Sequence, residues 1–296
     1  TMTVKSFDLS NISNEQDFAA LALTMQCNGA KADGALRFSG SAALDSRITL
    51  TGDNNNAIDL IGTGVTGLMR DDGTQDAFTG SLNGGSRKVI LDIGDAYGVK
   101  KDGTECTSVD EGSGQIYNHS YLGLFAKIGN LTGGISNLTI SGSINYGLST
   151  QQEIWVGGVS AFQETGTASY QNVTSDIAVS FTGKVADPTK ETLKTAHVGG
   201  LVGAVSGAPE LTFTGCKWTG SITDNATTES DCYLGGYIGS MSPDGGSITL
   251  NSSSIGNGTE KKASITVTPP GTVSKTGGIL AAVETKKDIN EKITIT

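Results

Sequence analysis

The hydrophobic positions of this chain follow a short glycine-centred pattern that returns five times. In each copy a ring-bearing or lysine residue and one further residue precede a glycine, and a short apolar run follows. The glycines lie about 34 to 42 residues apart, a period typical of repeat architectures. No amphipathic helical stripe runs through the copies. They read YLGLFAKI from Tyr121, WVGGVSAF from Trp155, HVGGLVGAV from His197, YLGGYIGSM from Tyr233 and KTGGILAAV from Lys275.

A second, more polar pattern follows the first four copies at a nearly constant distance. One repeat cannot bury its own apolar side, but stacked repeats share an interior and pair their backbones. The glycine pairs suit a tight bend, because only glycine lacks the Cβ that would collide with the next layer. We therefore predict an all-β fold, a parallel β-helix (β-solenoid). The polar segments are SNLTISGSI from Ser136, QNVTSDIAV from Gln171, FTGCKWTGSI from Phe213 and LNSSSIGNG from Leu250.

The region before the regular repeats contains one predicted helix. Ser13 and Gln16 match a capping box, and Asn28-Gly29 is a plausible stop. We interpret the helix as a lid over the interior of the first coil, with a helix packed on the side as the alternative. Its predicted buried face consists of Phe18, Leu21, Ala22 and Met25.

Two further segments precede the repeats and have strand character. Residues 48–60 read ITLTGDNNNAIDL, and residues 77–93 read AFTGSLNGGSRKVILDI, a strand-turn-strand pattern with Asn83-Gly84-Gly85 as its turn. We predict a single β-helix domain over residues 1–296. Its predicted parts are a capping helix at 13–28, irregular first coils at 30–120 and regular glycine-marked repeats at 121–296.

The YLGLF and VGGLVG phrases resemble the GLUG-type repeats of bacterial surface proteins. The resemblance covers about residues 12–296. It implies a pectate-lyase-like right-handed parallel β-helix, in an adhesin-like or peptidase-associated region. It says little about activity, and we predict no cofactor.

Composition narrows the classes of partner. Thirty acidic residues against twenty basic ones disfavour nucleic acid and anionic lipid. No stretch approaches the roughly 18 apolar residues of a membrane span. Abundant Gly, Ser, Thr and Asn with few aromatic residues fit a secreted β-solenoid better than a globular enzyme. The final segment, ITIT, still reads as strand, so either a cap closes the fold there or the chain is a fragment of a longer surface protein, and we expect a fragment.

The position two residues before the first glycine holds a ring in four repeats. If the repeats stack in register, these side chains form a row. We weigh two roles for the row: a platform for sugar rings, or a structural stack that shields the sheet. The four candidate ligand-binding residues are Tyr121, Trp155, His197 and Tyr233.

The charged residues give no catalytic or metal-binding motif. Asp71, Asp72 and Asp76 cluster, and Asp92 and Asp95 follow, but a glycine stands where a calcium-binding EF-hand needs an acid. A solvated acidic loop is the preferred interpretation. The two histidines, His119 and His197, match no metal or triad signature. A polysaccharide lyase commonly uses a lysine or arginine as its base, and the regular repeats contain no arginine, since Arg37, Arg47, Arg70 and Arg87 all precede them.

The four cysteines allow three disulfide pairings or four free thiols. The preferred pair is Cys216–Cys232, which leaves Cys27 and Cys106. Three Asn-x-Ser/Thr sequons, at Asn137, Asn172 and Asn251, fall at equivalent points of the repeats. We predict turn residues that stack as an asparagine ladder, in preference to glycosylation sites.

These observations favour a non-enzymatic, extracellular, adhesin-like or structural domain. The predicted partner is a host or bacterial surface protein or glycan, bound by the solenoid face and by loops at residues 147–154, 184–196 and 224–231. The alternative is a carbohydrate-active β-helix enzyme, a polysaccharide lyase or a glycoside hydrolase, with carboxylates converging in a groove.

Overall fold

A computed structural model describes residues 10–29, 44–65, 67–69, 77–93, 99–100, 116–117, 121–148, 153–183, 195–225, 231–243, 246–256, 263–267, 273–283 and 294–295. Strands predominate in these residues, which confirms the predicted all-β class. In chain order the elements are β1 (Asn11–Ile12), α1 (Glu15–Gly29), β2 (Arg47–Leu50), β3 (Ile58–Asp59), β4 (Ser81–Ile93), β5 (Val99–Lys100), β6 (Ile116–Tyr117), β7 (Tyr121–Leu122), β8 (Phe125–Ile128), β9 (Gly134–Leu148), β10 (Glu153–Gly157), β11 (Ser160–Gln163), β12 (Thr167–Gly183), β13 (Thr195–Gly199), β14 (Val202–Gly207), β15 (Glu210–Thr214), β16 (Lys217–Trp218), β17 (Ser221–Asp224), β18 (Asp231–Gly235), β19 (Ile238–Pro243), β20 (Ser247–Asn251), β21 (Ser254–Ile255), β22 (Ser264–Val267), β23 (Val273–Gly277), β24 (Leu280–Val283) and β25 (Thr294–Ile295).

The strands form three parallel sheets. Sheet I has the order β23-β18-β13-β10-β7, and sheet II has the order β24-β19-β14-β11-β8. Sheet III follows the path β1-β2-β4-β9-β12-β15-β20-β25, with β3, β16, β17, β21 and β22 attached beside it. Each regular repeat contributes one strand to sheet I, the next to sheet II and the following segment to sheet III. Beyond these sheets, β5 and β6 form a short antiparallel pair.

Equivalent residues of successive repeats are direct neighbours in the sheets. In sheet I, Val156 pairs with Val198, and Val198 pairs with Leu234. All three side chains are buried in one continuous apolar core. In sheet III, Val179 pairs with Ile222 in the same way, and both are buried. The repeat pattern therefore builds columns of apolar side chains that run from layer to layer through the interior.

The glycine pairs make the bend between sheets I and II. A Cβ at Gly199 would collide with the carbonyl oxygen of Val202 just past the bend. The second glycine makes room for a large interior side chain from sheet III. A Cβ at Gly200 would lie 2.5 Å from Nε1 of Trp218, and one at Gly236 would lie 2.6 Å from Cε3 of the same ring. The close approach expected at these glycines is confirmed.

Helix α1 buries the predicted face, but it begins at Glu15 and not at residue 13, and its N-cap is one residue later than predicted. Asn14 is the N-cap, because its Oδ1 accepts a hydrogen bond from the Asp17 N–H at 2.9 Å. The Asp17 carboxylate in turn accepts from the N–H and the hydroxyl of Ser13. The predicted buried residues, Phe18, Leu21, Ala22 and Met25, are all buried.

Among the described residues, no helix is long and apolar enough to cross a membrane.

Arg87 ties the start of α1 to the neighbouring loop. Its side chain is only 3 % exposed and donates hydrogen bonds to three backbone carbonyls. These belong to Ser13 at 3.1 Å, to Asn56 at 3.0 Å and to Thr51. A buried guanidinium needs such partners, because an unpaired buried charge is strongly destabilising. Arg87 thus joins three segments that are far apart in the sequence.

The two strand segments before the repeats differ from the prediction in one respect. Residues 48–60 form β2 and β3 with a turn between them. In contrast, β4 is one long strand, and the predicted turn at Asn83 is a bulge within it. Gly85 and Ser86 take φ angles of 57° and 64°, and the register with β9 shifts between Asn83 and Arg87. The positive φ bends the strand without reversing the chain.

Candidate functional site

The four ring-bearing residues of the repeats lie side by side on consecutive strands of sheet I. Trp155 pairs in register with Tyr121 on one side and with His197 on the other. His197 pairs with Tyr233, and Lys275 takes the next place. The prediction that these side chains form one row is confirmed. We call Tyr121, Trp155, His197 and Tyr233 the ring column.

The rings of the column stack face to face. The ring centroids are 4.4 Å apart for Tyr121 and Trp155, and 5.7 Å apart for Trp155 and His197. The His197 and Tyr233 centroids are 5.1 Å apart, and no pair of ring planes is inclined by more than 13°. Both faces of Trp155 and of His197 are therefore covered by neighbouring rings.

A lysine ammonium lies over each end of the ring column. Lys127 Nζ is 4.8 Å from the Tyr121 centroid, and Lys275 Nζ is 4.7 Å from the Tyr233 centroid. Lys275 Nζ is also 3.4 Å from the Tyr233 hydroxyl. A cation over an aromatic face is attracted by the ring quadrupole. The column thus consists of four rings between two cations.

Side chains of sheet II pack along the edge of the ring column. Phe162 makes edge contacts with Tyr121 and Trp155, at centroid distances of 5.8 and 6.0 Å. His197 Nδ1 lies 2.5 Å from the Ser240 hydroxyl, and both residues are 2 % exposed. The middle of the column is therefore covered, whereas Tyr121 and Trp155 stay half-buried at one end.

This geometry favours the structural role over the sugar platform. A sugar ring packs on an open aromatic face. In the ring column the faces pack on one another, and the two outer rings carry an ammonium group. Only the edges at the half-buried end are available for contact. The role of these four residues in ligand binding stays a prediction.

The long strands of sheet III bend where single residues take a positive φ angle, at Asn137 in β9 and at Asn172 in β12. An asparagine ladder runs along this bend, as predicted for two of the three sequons. Asn172 Nδ2 donates to Asn137 Oδ1 at 3.2 Å, and Asn137 Nδ2 donates to Asn83 Oδ1 at 3.3 Å. Asn137 and Asn172 have φ angles of 52° and 53°, a left-handed conformation that Asn tolerates better than most residues. We call Asn83, Asn137 and Asn172 the asparagine ladder.

The placement of Asn251 in this ladder is wrong by one residue. Asn251 pairs with Thr214, which pairs with Gln171, one position before Asn172. The left-handed position in the last two repeats belongs to Gly215 and Ser252, with φ angles of 63° and 50°. The sequon itself therefore does not mark the bend.

A column of neutral polar residues lies on the outer face of sheet III, beside the bend. Its members pair in register across six strands, from β2 to β20. All are uncharged, carry hydroxyl or amide groups and are exposed or half-exposed. Adjacent members are separated by the strand spacing of about 4.8 Å. We call this the hydroxyl–amide column: Thr49, Asn83, Ser136, Gln171, Thr214 and Asn251.

Similar chemistry continues on the outer face beyond the bend. Asn145 pairs with Ser180, Ser180 pairs with Thr223, and Thr223 pairs with Thr266. None of the four is buried. Each hydroxyl or amide group both donates and accepts hydrogen bonds. The outer face can therefore bind a neutral partner through many weak and regularly spaced hydrogen bonds.

The predicted acidic cluster of Asp71, Asp72 and Asp76 lies outside the described residues. Asp95 and His119 lie outside them too. Asp92 lies on β4, in register with Ser143. Within the described part of the chain, no group of three or more His, Cys, Asp or Glu side chains is arranged to hold a metal ion.

The predicted disulfide between Cys216 and Cys232 is not formed. Both side chains are buried thiols that are not joined in a disulfide. Cys216 follows β15 in sheet III, whereas Cys232 lies on β18 in sheet I, so the two side chains belong to different walls of the core. Burial raises the pKa of the Cys216 thiol, which keeps it protonated and unreactive. Cys106 lies outside the described residues.

A buried polar network near Cys216 was not anticipated from the sequence. The Tyr170 hydroxyl donates to Gln163 Oε1 at 3.1 Å, and Gln163 Nε2 donates to the Gly129 carbonyl at 3.0 Å. The Tyr237 hydroxyl donates to the Cys216 carbonyl at 2.7 Å, and burial raises the pKa of Tyr237 to about 12. These groups satisfy one another inside the core, so we assign them a structural role.

Comparison with known proteins found no matching family model, no similar curated protein and no similar solved structure.

Proposed function

We propose that the chain is a right-handed parallel β-helix, a single elongated domain covered at one end by α1. The parallel pairing of each strand with its equivalent in the next repeat supports this architecture. So does the fixed order in which each repeat passes through sheets I, II and III. The resemblance to GLUG-type repeats agrees with it.

The proposed function is that of a non-enzymatic, extracellular domain of a bacterial surface protein, adhesin-like or structural. In this fold the interior holds the rod together while the outer residues are free to vary. The ligand is a surface protein or glycan, and the chemistry of the outer face fits a neutral glycan better. The predicted binding loops at 147–154, 184–196 and 224–231 lie largely outside the described residues.

The observation that carries this proposal is the hydroxyl–amide column. Its six side chains form hydrogen bonds and lie in unbroken register. All six are uncharged, so none of them can act as the carboxylate or the cationic base of a carbohydrate-active enzyme. Glycan hydroxyl groups donate and accept hydrogen bonds, as do Asn, Gln, Ser and Thr. A flat polar strip suits adhesion to a polymer, because many weak contacts add along its length.

The test is binding to a printed array of neutral and acidic oligosaccharides, followed by affinity measurement on the best neutral hit. Gln171→Arg places a large charged group in the middle of the column and should lower the affinity by about tenfold or more. Leu23→Arg is the control, since Leu23 is 55 % exposed on α1 and belongs to neither of the polar rows on the outer face of sheet III. It should leave the affinity within about twofold.

Three outcomes would contradict the proposal. One is the absence of any binding to the array, and another is equal loss of affinity in both variants. The third is release of reducing ends from pectin, alginate or hyaluronan, which would identify a carbohydrate-active enzyme. Replacing Trp155 and Tyr233 together by Ala separates the two candidate surfaces, because binding through the hydroxyl–amide column should survive that change.

A further inference from the structure

Asn83 differs from the other two members of the asparagine ladder in the residue that follows it. Asn83 precedes a glycine, whereas Asn137 is followed by Leu138 and Asn172 is followed by Val173. A side chain on the following residue shields the backbone nitrogen that joins the two residues. Glycine has no Cβ and leaves this nitrogen accessible. Asparagine is a chemically labile residue, and it is most labile where its side-chain carbonyl meets an unshielded backbone nitrogen.

The Asn83 side chain lies against the Gly84 peptide unit. Its Oδ1 accepts a hydrogen bond from the Gly85 N–H at 3.1 Å. This contact reaches two residues along the chain, so the side-chain carbonyl is held beside the intervening Gly84 nitrogen. The register between β4 and β9 shifts between Asn83 and Arg87, so Gly84 lies in the bulge. Asn83 itself is exposed, so water has access to its amide group.

A second donor contacts the same oxygen atom. Asn137 Nδ2 donates to Asn83 Oδ1 at 3.3 Å, in addition to the Gly85 N–H. Attack of a nucleophile on the Asn83 carbonyl carbon would move negative charge onto this oxygen. Fixed N–H donors at such a position stabilise the developing charge, as in an oxyanion hole. Within the ladder Asn83 acts only as an acceptor, so its Nδ2 can leave without breaking a ladder contact.

We propose that Asn83 is a site of spontaneous deamidation. The Gly84 nitrogen gives its proton to solvent and forms a bond to Asn83 Cγ, and the bond between Cγ and Nδ2 breaks with release of ammonia. Water then opens the resulting cyclic imide. Hydrolysis at the side-chain carbonyl gives aspartate, and hydrolysis at the backbone carbonyl gives isoaspartate. Water is the only co-reactant, and no atom is oxidised or reduced.

The aspartate product fits the ladder at this position and at neither of the others. A carboxylate is a stronger acceptor than an amide, so it can keep both contacts that Asn83 Oδ1 makes. Asn137 and Asn172 each donate through Nδ2, and a carboxylate could not. Deamidation thus adds a negative charge to the hydroxyl–amide column without removing a donor from the ladder. This inference does not depend on the ligand of that column.

The test is peptide mapping of the folded full chain by mass spectrometry during incubation at mildly alkaline pH. Asn83 should convert about tenfold or more faster than Asn137 and Asn172, which are internal controls. Asn137→Asp removes the second donor and should slow the conversion of Asn83 by about tenfold or more. Asn145→Asp is the matched control, because it makes the same change at an exposed position of the same strand. It should leave the rate at Asn83 within about twofold.

The same incubation in urea separates the effect of the fold from that of the local sequence. Asn83 should convert at least as fast in the folded chain as in the unfolded one, because the fold supplies both donors. Retention of the Asn83 amide in the folded chain would overturn the proposal, as would conversion that occurs only in urea. Equal rates at Asn83 in the Asn137→Asp and Asn145→Asp variants would overturn it too, since the donors would then contribute nothing.

Discussion

The two ends of the stacked sheets carry similar apolar residues and bury them to very different extents. At the end where sheet III begins, Phe18 and Met25 of α1 belong to the core, and both are at most 1 % exposed. At the other end Ile255 is 42 % exposed, and Ile265 is only partly buried. The difference arises because the burial of an interior residue depends on the next layer. In a stacked fold, the sequence of one repeat does not determine whether that repeat is covered.

The largest effect should come from breaking the covered end. Phe18→Ala should lower the free energy of unfolding by about 3 to 5 kcal/mol, because it empties a fully buried site. Leu23→Ala is the control on the same helix, where the side chain is 55 % exposed, and it should change stability by less than about 0.5 kcal/mol. Urea unfolding monitored by circular dichroism measures both. Similar losses for the two variants would show that α1 does not close the core.

The same substitution in adjacent layers sharpens the comparison. Ile222 and Ile265 are register partners, one fully buried and one partly buried. Ile222→Ala should destabilise the protein by about 2 to 4 kcal/mol, and Ile265→Ala by about 1 kcal/mol. Urea unfolding monitored by circular dichroism measures the difference. Equal losses would mean that the last repeat is covered as well as the one before it.

The covered end was easier to predict from the sequence than the residues that hold it in place. Helical spacing identified four residues of α1 that are buried, since amphipathic periodicity reports burial directly. The start of the helix was misplaced because Ser13 and Asn14 are both good N-caps, and the position of Asp17 decides between them. The buried Arg87 was missed, because its carbonyl partners lie 31 to 74 residues away. No local pattern encodes such contacts.

The candidate surfaces were also predicted only in part from the sequence. The register of the ring column followed from the repeat spacing, because strands of adjacent layers must align for their backbones to pair. The placement of Asn251 failed, since β20 pairs Asn251 with Thr214 and leaves the left-handed position to Ser252. A motif such as Asn-x-Ser specifies residue types but not the register of a bend. The covered faces of the rings depend on side-chain packing, which the repeat spacing does not determine.

A smaller effect is expected from the buried cation at the covered end. Arg87→Met keeps most of the side-chain volume but leaves three carbonyl groups without their donor. It should cost about 2 kcal/mol of stability, because those groups stay poorly solvated. Arg47→Met removes the same charge from an exposed position on β2 and should have little effect. Thermal unfolding together with hydrogen exchange of α1 separates the two. Unchanged exchange of α1 in the Arg87 variant would argue against its role at this end.

The smallest expected effect concerns the asparagine ladder, which runs through the covered half and stops at Gly215. Gly215 has a φ angle of 63°, which Asn tolerates, and a Cβ there would lie 2.6 Å from Asn172 Oδ1. That atom is the flexible end of a side chain, so a small rotation relieves the contact and lets it accept a hydrogen bond from the new amide. Gly215→Asn should therefore stabilise the protein by about 0.5 kcal/mol, through one added hydrogen bond and a less flexible unfolded chain. Gly215→Ala is the control, because Ala gains no hydrogen bond and tolerates this conformation poorly, so it should destabilise. If both variants destabilise equally, the ladder ends at Gly215 for steric reasons and cannot be extended toward the open end.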